Sequence, residues 1–166
     1  MDRRLSHAFL PAAAVVLADQ LSKRLVTAKV EPYAERISVI PGFLDIVHVH
    51  NTGAAFSFMA QESGWQRWFF ICVSILAIVV LAGMIARSLQ SHKYTLLTLG
   101  LIMGGAAGNL VDRILLGHVI DFVDVYVGSY HWPAFNVADS AISVGVVGLL
   151  YLIITNKERR APGTTG

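Results

Sequence analysis

The chain has 166 residues, of which 55% are apolar and only 14% charged, with a formal net charge of +2 and a mean hydropathy of +0.60. A soluble domain carries about 25% charged residues, so the composition points to lipid, the length to one domain, and the small net charge away from nucleic acid. The single cysteine, Cys72, excludes an internal disulfide and a Cys-based metal cluster; within its long apolar run it reads as a packing thiol.

At the N-terminus, Arg3, Arg4, an apolar stretch and the small residues Ala12 to Ala14 imitate a signal peptide. The rest of the chain is equally oily, which favours an uncleaved first span over 5–26, interrupted by Asp19, Lys23 and Arg24. The following loop, 29–67, contains ISVI and LDIVHVH around Pro41-Gly42, the pattern of two strands and a turn. NTGAAFSFMAQESGW comes next, and its Phe56, Phe58 and Met59 suit a short interfacial helix or a flap. A second span, 68–86, has no charge, and a third, 94–111, is glycine-rich. In the loop 112–132, FVDVYV, GS and YHW read as a hairpin with Tyr and Trp at headgroup depth. A fourth span, 133–155, precedes a tail, 157–166, that reads as disordered.

Spans of about 20 residues at 1.5 Å per residue cross a ~30 Å hydrocarbon core, and only helices satisfy their own backbone there. The expected fold is therefore a polytopic α-helical membrane protein, a single integral domain of four transmembrane helices with a small antiparallel sheet on the outer face. Arg3, Arg4, Arg87, Lys93, Lys157, Arg159 and Arg160 lie in the other set of segments, which puts both termini in the cytoplasm; Lys23, Arg24 and Lys29 run against that rule.

Charge inside such a chain calls for explanation. Gly100, Gly104 and Gly108 recur every four residues, a spacing that lets another helix approach closely. Asn109 and Arg113 follow on one helical face, with Asp112 adjacent and able to pair with an arginine. Pro133 suits a helix first turn, and Asn136, Asp139, Ser140 and Ser143 then share a face. Asp139 would sit ~9 Å below that helix start, at a cost of roughly 2.5–3.5 kcal/mol even on gentle insertion scales. Asp19 and Lys23 read as an internal i, i+4 pair.

The 18 residues from Asp121 to Asp139 allow the chain to leave the membrane, form a hairpin and return, bringing the two carboxylates together. Two close carboxylates share a proton, so one activates water while the other protonates a carbonyl. A proton relay or an ion pathway fits the same spacing. The histidines form no H-E-x-x-H pattern; His48 and His50 face one side of a strand as a possible metal pair, without an evident third ligand.

Five segments in order resemble the motifs of bacterial lipoprotein signal peptidase, signal peptidase II: DQLSK at 19–23, NTGAAFSF at 51–58, GGAAGNLVDR at 104–113, VIDF at 119–122 and FNVADS at 135–140. The resemblance implies an intramembrane aspartic endopeptidase of the bacterial inner membrane, acting as a monomer near the outer face without metal or organic cofactor. Its substrates would be prolipoproteins carrying a diacylglyceryl-cysteine, held among membrane lipid and cut just before that cysteine. The resemblance makes Asp121 and Asp139 the catalytic pair. Asn109 and Arg113 would hold substrate backbone, Asn136 would support Asp139, Asn51 would lie on the covering loop, and Asp19 and Lys23 would brace the site. It gives no role to His48 or His50 and leaves Asp112 structural and Asp124 outside the pair. A proton-coupled carrier and a lipid-binding scaffold are the competing readings, and the lack of an internal repeat argues against the carrier.

Overall fold

Apolar runs of this length satisfy their backbone as helices, and the computed structural model forms four among the residues it describes, 4–53, 64–88 and 93–155. These are α1 (Ser6–Thr27), α2 (Trp65–Arg87), α3 (Lys93–Leu115) and α4 (Val137–Ile154). The flap residues Phe56, Phe58 and Met59 and the tail 157–166 lie outside the described residues. Helices α2, α3 and α4 are long and apolar enough to cross a membrane. Helix α1 has the length, about 33 Å for its 22 residues, but carries Asp19, Lys23 and Arg24 toward its C-terminal end.

Helix α3 is the hub, packed against each of the other three. Its small residues allow this: a Cβ on Gly104 would lie 2.6 Å from the Ala12 carbonyl oxygen, and one on Gly108 would lie 2.7 Å from Asp19 Oδ2. Glycine thus brings α1 against α3 at the depth where the charged residues begin. Ala8, Ala12, Leu81, Ile85, Leu96, Leu99 and Met103 fill the far end of this seam.

The two interhelical loops combine into one sheet. Strands β1 (Arg36–Ile40), β2 (Leu44–Asn51), β3 (Val119–Val127) and β4 (Tyr130–His131) lie in the order β1-β2-β3-β4, all neighbours antiparallel. Both sequence-predicted hairpins are present. The β2–β3 ladder joins them, pairing Val49 with Asp121 and Asn51 with Val119. The sheet seats on the end of α1 through Val26, Val30 and Phe122.

Two helix ends differ from the sequence reading. Helix α3 runs one turn further, so Asp112 and Arg113 are helical rather than in the loop. Helix α4 begins at Val137 instead of near Pro133. The reason is that Phe135 exchanges hydrogen bonds with Val123 of β3, so its backbone serves the sheet and the helix starts only beyond it. Asp139 consequently lies in the first turn of α4, not ~9 Å inside it.

Candidate active site

The polar residues of α1, α3, β2, β3 and α4 meet where the sheet joins the helices. Asn136 caps α4: its Oδ1 accepts the Asp139 N–H at 2.9 Å, while Asp139 Oδ2 accepts the Asn136 N–H at 3.3 Å, a reciprocal capping box. The same Asn136 side chain donates from Nδ2 to Asp121 Oδ1 at 2.7 Å. Asn109, from α3, donates to Asp139 Oδ1 at 2.8 Å, and Asn51, from the end of β2, donates to Asp121 Oδ2 at 2.8 Å. Asn136 is therefore bonded to both carboxylates at once, and each carboxylate has an additional amide holding its orientation.

Beneath this pair lies a fully buried ionic cluster. Lys23 Nζ reaches Asp19 Oδ2 at 2.7 Å, Asp112 Oδ2 at 2.8 Å and Asn109 Oδ1 at 3.1 Å. Asp19 Oδ1 accepts the Ala138 N–H at 3.0 Å, so α1 supplies a carboxylate to the positive end of α4. Asp112 Oδ2 accepts the Ile120 N–H at 3.2 Å, tying the start of β3 to α3. The i, i+4 pair expected between Asp19 and Lys23 exists, but Lys23 also bridges to α3, and Asp112 pairs with this lysine rather than with an arginine. Among the described residues no buried side-chain nitrogen or oxygen lacks a partner, and a polar network this deep is stable only when so satisfied.

Arg113 points along the same face of α3. It donates to the Asn109 carbonyl at 3.4 Å, stands 5.1 Å over the Phe70 ring, and lies within electrostatic reach of Asp139 and Asp121. Burial pushes the Asp121 carboxyl up from 3.8 to about 6; the Asp139 charge adds to the rise, while the Asn51 and Asn136 hydrogen bonds and the Lys23 charge oppose it. Asp124, the third carboxylate of this stretch, is engaged elsewhere: His131 Nδ1 lies 2.9 Å from both of its oxygens.

All eight sequence-nominated residues thus converge on one junction. Sequence reasoning passed over two others. Gln20 Nε2 donates to Asp112 Oδ1 at 2.8 Å and to the Gly108 carbonyl at 3.2 Å. Arg67 donates to the Arg113 and Ile114 carbonyls at 3.0 and 2.8 Å, closing the C-terminal end of α3. Gln20 sits inside DQLSK and was reachable from that motif; Arg67 has no sequence signal, because its acceptors are main-chain atoms distant in sequence.

Apolar spans and a buried, carboxylate-centred polar site define a helical membrane enzyme. The same architecture is found in two solved structures described as bacterial membrane enzymes. One has a TM-score of 0.79 at 27% identity, covering 96% of this chain and 94% of the other; the second has 0.78 at 29%, covering 89% and 92%. Residues 11–155 match the family described as Signal peptidase (SPase) II. The Lipoprotein signal peptidase of Paraburkholderia phymatum is 46% identical over 152 residues, 92% of this chain and 87% of that protein. That of Cupriavidus taiwanensis is 47% identical over 149 residues, 90% and 81%, and that of Alteromonas mediterranea 42% over 157 residues, 95% and 85%. The chain belongs to the signal peptidase II family, a family of membrane proteases that process lipoproteins.

Proposed function

We propose that this chain is an aspartic endopeptidase that removes signal peptides from diacylglyceryl-modified prolipoproteins, cutting before the lipidated cysteine, with Asp121 and Asp139 as the catalytic pair. The observation that carries the proposal is the shared amide: Asn136 bonds Asp121 through its side chain and Asp139 through its capping box. The Asp139 charge also raises the proton affinity of Asp121, so the two carboxyls titrate as a coupled pair.

The raised proton affinity of Asp121 favours it for the acid role. Asp139, at the positive end of α4 with N–H donors on both oxygens, takes the base role. Asp139 removes a proton from a water as its oxygen attacks the scissile carbonyl carbon, and Asp121 gives its proton to the carbonyl oxygen. The tetrahedral diol then collapses. The C–N bond breaks, the nitrogen receives a proton from Asp139, and Asp121 regains one from the diol. The products are a signal peptide ending in a carboxyl group and a lipidated cysteine with a free amine.

A signal peptide enters as a helix and must unwind to be cut, which frees carbonyls in a poorly hydrated place. The guanidinium of Arg113 has five donors, of which the Asn109 carbonyl engages one; the others and the Asn109 side chain are suited to those carbonyls. The Asp19–Lys23–Asp112 cluster braces the arrangement from below.

In this reading α1 is the fourth transmembrane span of a single domain, with both termini cytoplasmic in the bacterial inner membrane. The sheet and the pair lie at the outer face, where water reaches the carboxylates while the substrate's acyl chains stay in lipid. The test is cleavage by purified protein of one prolipoprotein with and without diacylglyceryl modification, read by product mass. Wild type should cut before the modified cysteine only, and Asp139→Asn should not cut. Retained cleavage in Asp139→Asn would refute the pair.

A further inference from the structure

The catalytic reading leaves one cluster of titratable side chains without a task. On β2, His48 and His50 bring their Nε2 atoms to 3.2 Å. His48 is buried, and its Nδ1 sits 2.9 Å from the Val30 carbonyl oxygen. A carbonyl can only accept, so Nδ1 carries the proton and the lone pair of His48 is on Nε2, facing His50. A ring N–H donated to a backbone carbonyl is the usual outer support of a metal-binding histidine.

The spacing also suits a metal. A tetrahedral zinc bound at ~2.0–2.1 Å to two imidazole nitrogens separates them by ~3.3–3.4 Å. The observed 3.2 Å is within about 0.2 Å of that figure. His50 is held in place by neighbours: Tyr33 meets its ring edge-on at 5.5 Å, and His118 stacks on it at 4.0 Å. A cavity of about 390 Å³ opens beside His48, lined by Glu35 and Asp124 and also by Arg36 and His131.

We propose that His48 and His50 form a two-histidine chelate for a borderline divalent transition metal, Cu²⁺ or Zn²⁺, apart from the Asp121–Asp139 pair. Among the described residues no group of three or more His, Cys, Asp or Glu side chains is placed to hold a metal. The described residues therefore supply two ligands to the chelate, and water completes the coordination. Imidazole ligation ranks copper above zinc and both well above manganese. The competing account is a plain hydrogen bond from His50 Nε2–H to His48 Nε2, which needs no metal.

The test uses tag-free full-length protein in detergent, titrated with Cu²⁺ and with Zn²⁺ against a competing chelator, together with pulsed electron paramagnetic resonance of the copper form. The expected result is one copper per chain with two imidazole nitrogens coupled to it. A lost ligand costs at least as much as a lost outer-shell partner, so His50→Gln should weaken binding by ~10–100-fold or more. His48→Asn should do the same, and its amide nitrogen, standing in for Nδ1, can still donate to the Val30 carbonyl. Melting of the metal-free variants at the wild-type temperature confirms that they fold. No binding by wild type, or unchanged affinity in folded His50→Gln, overturns the chelate and leaves the hydrogen bond.

Discussion

Asp121→Asn should remove cleavage and, above the titration range of this carboxyl, relieve a cost. Burial raises Asp121 from 3.8 to about 6, so the folded protein binds its proton more tightly than the unfolded chain does. The stabilising contribution of that proton is complete below pH 3.8 and is lost as the pH rises through about 6. About two pKa units correspond to ~3 kcal/mol once the group is ionised in both states. The replacing amide titrates in neither state, so it escapes this loss. It does leave one of the two donors, from Asn51 or Asn136, facing an amide N–H instead of an oxygen, a fixed cost of ~1–3 kcal/mol. The fixed cost is the same at every pH and cancels in a comparison across pH. The stability difference, variant minus wild type, should therefore rise by ~2 kcal/mol between about pH 4.5 and pH 7.5. Unfolding of both proteins in one detergent, followed by tryptophan fluorescence at a series of pH values, measures it. A difference that stays flat, or falls as pH rises, would refute the raised proton affinity and with it the acid role of Asp121.

For the wild type, kcat/KM should decline on the alkaline side of about pH 6, where Asp121 of the free enzyme loses its proton. The Asn51 hydrogen bond opposes the raised pKa, so Asn51→Ala should move that limb to higher pH; movement to lower pH in a rate-versus-pH series would contradict the assignment. Asn136→Ala removes the cap of α4, worth about 1 kcal/mol, and the link between the carboxylates. It should cost more activity than stability, as shown by comparing kcat with the unfolding midpoint. Gly108→Ala would place a methyl 2.7 Å from Asp19 Oδ2, so it should separate α1 from α3 and lower the thermal midpoint, whereas Gly83→Ala, with nothing within 4 Å of the added carbon, should not.

The helices were legible in the sequence because hydropathy and length suffice to read them, and the hairpins because Pro41-Gly42 and Gly128-Ser129 punctuate alternating strands. Asn109 and Arg113 were legible because a helix puts i and i+4 on one face. The start of α4 was not. Pro133 is a good first-turn residue, but the pairing of Phe135 with Val123 outcompetes the local preference. The β2–β3 ladder was not legible either, since it joins loops about 70 residues apart and depends on α1, α3 and α4 bringing them side by side. Lys23 illustrates the same limit. Its partner at i−4 could be read from spacing, while Asp112 and Asn109 required the glycine seam to close first.

That seam also sets the charge balance of the site. Four carboxylates, Asp19, Asp112, Asp121 and Asp139, converge with two cations, Lys23 and Arg113. Fully ionised, the junction would carry a net charge of two negatives in a buried place, and one proton on the pair halves that excess. The brace and the pair are therefore one electrostatic system, in which Lys23 lowers the proton affinity of Asp121. Lys23→Met separates the two roles. It leaves Asp19 and Asp112 buried without their cation, a loss of ~3–5 kcal/mol, and it withdraws a charge that had favoured ionised Asp121. The thermal midpoint should fall, and the alkaline limb of kcat/KM should move upward in whatever enzyme remains folded. A lysine that served only as a packing strut would lower the midpoint and leave the limb where it was, so the pH profile, measured below the variant's melting temperature, decides between the two.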